Sequence, residues 1–169
     1  MDDYILNEHN KEEFPPAHTA EHLLNQTMTR LFGCARSYNA HVERKKSKMS
    51  FRLDRKPSRQ EEREIERRMN ELIAADLPVT FEFVTRGELV SRSQESAGEL
   101  SQLYSAIDLE RLPANAGETI RLVCIGDYDV CPCIGRHVRS TAQIGRFEML
   151  GTNWDEMEHS FRVRFKVIA

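Results

Sequence analysis

Hydrophobic positions along this chain switch between two periods. Across residues 17–32, Ala20, Leu24, Met28 and Leu31 recur at helical spacing, which predicts a helix with one apolar stripe. Gly33 supplies its stop, because a helix commonly ends on a left-handed residue that glycine adopts without strain. A second stripe, Ile65, Met69, Leu72 and Ile73, predicts a helix over 58–75. It opens on Ser58-Arg59-Gln60-Glu61, a capping box just after Pro57, and Pro78 lies beyond its end. A weaker helix is expected from a cap at Ser96-Ala97-Gly98-Glu99 to Ile107. Elsewhere the period falls to two. Residues 50–53, 79–83 and 119–125 read as strands, and 161–167 alternates apolar with basic residues throughout. That alternation implies antiparallel pairing with one dry face and one wet face. The expected class is α+β, an antiparallel sheet with helices packed on one face. Pro15-Pro16 separates a polar arm (1–14) from a single domain (15–169).

A chain of 169 residues is long enough to bury about two-thirds of its unfolded surface. Its net charge of −3 excludes a global field that would draw it onto a polyanion. The exception is local. Residues 44–56 (RKKSKMSFRLDRK) form the most basic segment, in which Lys45, Lys46 and Lys48 are candidate phosphate contacts; lysines there also protect a strand edge. No apolar run approaches the roughly 18 residues of a membrane helix, so no membrane partner is expected. Met1-Asp2-Asp3-Tyr4 lacks the order of a signal peptide, which points to the cytoplasm and to reduced thiols at Cys34, Cys124, Cys131 and Cys133.

Two short motifs carry the chemistry. His18-Thr19-Ala20-Glu21-His22 puts two imidazoles four residues apart, on one helix face at the rim of the apolar stripe. Cys133-Ile134-Gly135-Arg136-His137 offers a thiolate and a third imidazole. Three His and one Cys form a borderline-soft N/S set that suits Zn2+ far better than magnesium or calcium. Cys131 competes with Cys133, which is favoured if the segment curls helically to His137. Asp127 and Asp129 are candidate acceptors for a ligand histidine. Glu21 also completes an H-x-x-E-H pattern, that of inverted zinc peptidases, and is the nearest carboxylate for proton transfer; that reading leaves Cys133 and His137 without a role.

With the stretches H-T-A-E-H-L-L (18–24) and C-I-G-R-H-V-R-S-T-A-Q-I-G (133–145), the chain resembles the editing domain of alanyl-tRNA synthetase and its freestanding relatives, a cousin of the threonyl-tRNA synthetase editing domain. The likeness runs over residues 15–169. It implies a freestanding protein with zinc on His18, His22, Cys133 and His137, with Gly135 and Arg136 at the substrate and the acceptor end of tRNA as partner. The implied reaction is hydrolysis of the ester joining a wrong amino acid to tRNA, with serine or glycine on alanine-accepting tRNA expected. The usual motif is C-G-G-T-H; Ile134 and Arg136 replace a glycine and the threonine, which bears on the amino acid preferred. A four-ligand site is closed, whereas catalysis needs an open position, so a non-catalytic zinc-bound module stands as the alternative.

Overall fold

The computed structural model describes residues 13–94, 99–108 and 119–169. Most of the polar arm and the expected cap at Ser96-Ala97-Gly98 lie outside them. In chain order the elements are α1 (Pro15–Phe32), β1 (Asn39–His41), β2 (Ser47–Arg52), α2 (Arg59–Ala74), β3 (Val79–Val84), α3 (Arg86–Gln94), α4 (Glu99–Ser105), β4 (Ile120–Ile125), β5 (Asp129–Pro132), a 3-10 turn (Thr141–Ile144), β6 (Arg146–Asp155) and β7 (Ser160–Ile168). They cluster into two compact units, one of residues up to Leu77 together with Gly135–Ala169, the other Pro78–Ile134. The α+β class holds. The strands, however, form two antiparallel sheets, in the orders β1-β2-β7-β6 and β3-β4-β5. Alternation reports that a strand has a dry face and a wet face; it does not say which strand lies beside it.

In the first unit the dry face of the four-stranded sheet carries Met49, Phe51, Phe147, Phe161, Val163 and Phe165, all at most 1% exposed. Leu23, Leu24 and Met28 of α1 and Ile65 and Met69 of α2 are equally buried, and α1 and α2 pack on β7 and β6 respectively. The end of α1 and the start of α2 form as their sequences direct. Gly33 adopts φ 68° and its N–H donates to Thr29 O at 2.8 Å. Ser58 Oγ accepts from Glu61 N at 3.1 Å while Glu61 Oε1 accepts from Ser58 N at 2.8 Å, the reciprocal capping box.

Strand β6 is an edge, and α2 covers it. Asn70 Oδ1 accepts from Phe147 N and its Nδ2 donates to Phe147 O, both at 2.9 Å. Glu66 Oε2 accepts from Met149 N at 2.8 Å. Backbone groups that would otherwise invite another strand are thereby satisfied within the chain. A bulge between Met149 and Gly151 breaks the period of β6, which hides that strand from the sequence pattern.

In the second unit Val84, Leu89, Leu103, Tyr104, Ile120, Leu122, Cys124 and Val130 form one core. Cys131 and Pro132 belong to β5, an edge strand, where a missing N–H is tolerated.

Two outcomes test this packing. Asn70→Leu leaves the Phe147 N–H unsatisfied and should cost about 1–3 kcal/mol of stability, read as a lower urea midpoint with unchanged slope. The hydrogen bonds from Arg55 and from the Ser58 N–H hold the Glu61 carboxyl down to about 2, from an ordinary 4.5. Because the folded value is depressed, its contribution is complete above about pH 4.5 and is lost as pH falls towards 2. Melting temperatures of Glu61→Gln across that window should therefore vary less with pH than those of the parent.

Candidate metal centre

The first turn of α1 begins on Pro15, whose ring fixes φ near the helical value, and closes when His18 N donates to Phe14 O at 3.1 Å. His18, Thr19, Glu21 and His22 follow within little more than one turn. The expected position at the rim holds for His18 but not for His22, which is only 5% exposed, because α1 is buried continuously from His22 to Met28. His137 arrives from the loop after Gly135. The ring centroids lie 5.3 Å apart for His18–His22, 4.3 Å for His18–His137 and 4.6 Å for His22–His137.

Each half of the site orients an imidazole of the other. The Arg136 carbonyl lies 3.2 Å from His18 Nδ1. A carbonyl only accepts, so this nitrogen carries the proton, and in the neutral imidazole the lone pair is then on Nε2. Thr19 Oγ1 lies 2.9 Å from His137 Nδ1 and also accepts from Val138 N at 3.1 Å. Outer hydrogen bonds of this kind set the tautomer and ring direction of a metal-ligating histidine. They come from Thr19 and Arg136; Asp129 is instead fully buried on β5, opposite Ile125. Gly135 has a separate reason to be glycine, since a Cβ there would sit 2.0 Å from His18 Cε1. Glu13 Oε1 accepts from Arg136 N at 3.1 Å, fixing the loop further.

Cys133 precedes Gly135 by two residues. Its N–H donates to Arg121 O at 3.2 Å and its carbonyl accepts from Arg121 Nε at 2.7 Å. The segment to His137 is therefore an extended loop and not the helical curl considered from sequence. Among the described residues, His18, His22, Cys133 and His137 form the group able to hold a metal ion, with ligand atoms within 4.8 Å of one another. Cys131 is not in it, and its thiol faces Pro132 O at 3.5 Å. Three imidazoles and a thiol, two of the rings pinned from outside and one resting where a Cβ would intrude, fit a metal well.

Glu21 comes closer than its helical direction suggests, with Oε1 3.7 Å from His18 Nε2. Burial pushes its carboxyl up, while His18 and Arg36 pull it down. The Arg136 side chain is exposed, as is Ile134 at 61%. Lys45 and Lys46 sit exposed in the turn between β1 and β2, and Lys48 on β2 itself. Next to those lysines, Arg44 places its guanidinium over the Phe14 ring at 4.4 Å, against the start of α1. Thr19 and Glu13 went unmarked in the sequence, although Thr19 stands inside the first motif.

Thr19→Val keeps shape and removes the hydroxyl. Metal affinity should fall about 10–100-fold, read by competition with a chelator, and the metal-free protein should also melt lower, because the Val138 N–H loses its acceptor. Gly135→Ala should lower bound metal further, by displacing His18.

Residues 120–160 match the family described as the threonyl and alanyl tRNA synthetase second additional domain, a stretch that includes Cys133 and His137. The alanine–tRNA ligase of Halorubrum lacusprofundi is 32% identical over 136 residues, 80% of this chain and 13% of that protein. The alanine–tRNA ligase of Methanopyrus kandleri is 30% identical over 135 residues, 79% of this chain and 13% of that protein. That of Bacillus subtilis is 28% identical over 134 residues, 79% of this chain and 14% of that protein. The chain thus corresponds to a small segment, not the whole, of each relative. Motif, fold and matched segment together make this an alanyl-tRNA-synthetase-like chain carrying the second additional domain.

Proposed function

We propose that this chain hydrolyses the ester of mischarged tRNA in the cytoplasm, with zinc held by His18, His22, Cys133 and His137. The observation that carries the reading is the convergence of those four ligand atoms within 4.8 Å in a domain of the alanyl-tRNA synthetase type. Bound there, zinc would supply Lewis acidity for the hydrolysis. The chain's own residues hold the site ready for it. Arg136 O and Thr19 fix the directions of two imidazoles, and Gly135 leaves the room His18 needs. Glu21, beside His18 and partly desolvated, accepts and returns a proton. The Arg136 guanidinium, exposed next to His137, meets a phosphate or carboxylate of the acceptor end.

A second reading rests on the number of ligands. Four protein donors make a closed site, so the same residues would also suit a zinc-bound, tRNA-binding module without turnover.

One assay separates the two. Zinc-loaded protein is incubated with alanine-accepting tRNA charged with serine, glycine or alanine, and loss of the ester is followed. Seryl- or glycyl-tRNA should be cleared faster than alanyl-tRNA. A hydroxyl or a methyl distinguishes such substrates by about 1–3 kcal/mol, or roughly 10–200-fold. Rates for all three equal to those of His18→Ala would discard the hydrolase and leave the binding module.

A further inference from the structure

The wet face of the four-stranded sheet carries an arrangement that stability alone disfavours. Strand register places His41 opposite Lys48, Lys48 opposite Arg164, and Arg164 opposite Gly151, one row across all four strands. The next row is Asn39, Ser50, Arg162 and Asn153, and the next pairs Arg52 with Ser160 and Asp155. Lys48 and Arg164 are thus like charges directly opposite in an antiparallel pair, which destabilises a sheet. Arg162 lies on the same face two residues along from Arg164. Among the described residues, no ion pair joins a carboxylate to Lys48, Arg162 or Arg164; the pairs on this face lie at its two ends, Arg52–Glu158 at 3.1 Å at one and Glu148 with Arg146 at 3.2 Å and Lys166 at 3.7 Å at the other.

Small residues keep the cations accessible. Ser50 and Ser160 are buried, and a Cβ on Gly151 would come within 2.4 Å of Arg164 Nη2, so that guanidinium occupies the space the glycine leaves and hydrogen-bonds Asn153 Oδ1. Arg52 stacks on Tyr38 at 4.2 Å, an aromatic that is 46% exposed. The exposed turn with Lys45 and Lys46 joins β1 to β2 at the Lys48 end. These rows hold cations, amides, small residues and, in the outermost row, the carboxylate of Asp155, and no aliphatic side chain. Protein partners favour an apolar, aromatic-rich patch centre, whereas nucleic-acid surfaces are polar and strongly positive.

We propose that this sheet face, centred on Lys48, Arg162 and Arg164, is where the phosphate backbone of a structured RNA lies. The inference rests on the tRNA reading above for its occupant, and it moves the centre of the RNA surface from the basic loop to the sheet. Such contacts give affinity without reading sequence.

The test uses the full zinc-loaded chain and uncharged tRNA, with binding followed by fluorescence anisotropy across a salt series. In Lys48→Gln/Arg162→Gln/Arg164→Gln, affinity should fall alike for unrelated tRNAs, and the slope of log K against log salt should flatten by roughly 2–3. Zinc content should not change. Lys48→Glu guards against mere misfolding. It sets a carboxylate opposite Arg164, so its melting temperature should hold or rise while tRNA affinity drops. An unchanged salt slope in the triple variant, or a melting temperature of Lys48→Glu that falls in step with binding, overturns the proposal. So does preferential binding of the parent to polyglutamate or to phosphatidylserine vesicles, which would assign the face to an acidic protein or a membrane. Parent protein that binds tRNA through this face yet leaves every mischarged ester intact would sink the hydrolase reading and leave the surface standing.

Discussion

The candidate site depends on a mutual brace between two segments more than a hundred residues apart in sequence. The carbonyl of Arg136 fixes the His18 tautomer, and the hydroxyl of Thr19 holds both the His137 ring and the Val138 amide. Neither segment can aim its imidazole alone. Helix α1 sets the spacing of its two histidines, but a surface imidazole on a helix turns freely about its side-chain bonds. The brace removes that freedom before any ion arrives, so less ordering remains to oppose binding. Gly135 is the steric condition for it, since any side chain there would occupy the space of the His18 ring.

The rest of the first unit keeps that brace in place. Helix α1 is buried through its middle, so the His22 ring sits in the interior and its helix cannot shift without opening the core. Helix α2 serves the sheet instead, with Asn70 and Glu66 closing the edge of β6. Thr141 ties the turn before β6 to the end of α2, its hydroxyl donating to Leu72 O at 2.7 Å and accepting from Leu77 N at 2.8 Å. The loop from Gly135 to the 3-10 turn is therefore anchored at both ends, by α1 at His137 and by α2 at Thr141. A loop held in this way can carry a ligand residue with the precision of a regular element.

Charge is distributed with a comparable division. The chain is acidic overall, yet the sheet's wet face gathers Lys48, Arg162 and Arg164 in adjoining positions. On α2, by contrast, cations are neutralised locally, as where Arg67 pairs with Glu64 and Glu71. Exposed pairs like these contribute little to stability but leave no net field. The contrast between a neutralised helix and a cationic sheet face gives the latter its significance.

Sequence alone determined the local features whose causes are local. The capping box at Ser58, the left-handed stop at Gly33, the alternation of β7 and the pairing of His18 with His22 follow from neighbours within a few residues. Thr85-Arg86-Gly87-Glu88 carried the same kind of signal for α3, with Thr85 Oγ1 accepting from Glu88 N at 3.0 Å, and was legible for the same reason although not read. Tertiary structure decided the rest, because it depends on which distant atoms meet. Period-two patterning cannot distinguish one sheet from two, and a bulge erases it in β6. The place of Cys133, and not Cys131, in the candidate group, the duty of Thr19 and the meeting of Lys48 with Arg164 all rest on pairings between segments far apart in the chain. A sequence states what each residue can bond; only the fold states what it is given to bond.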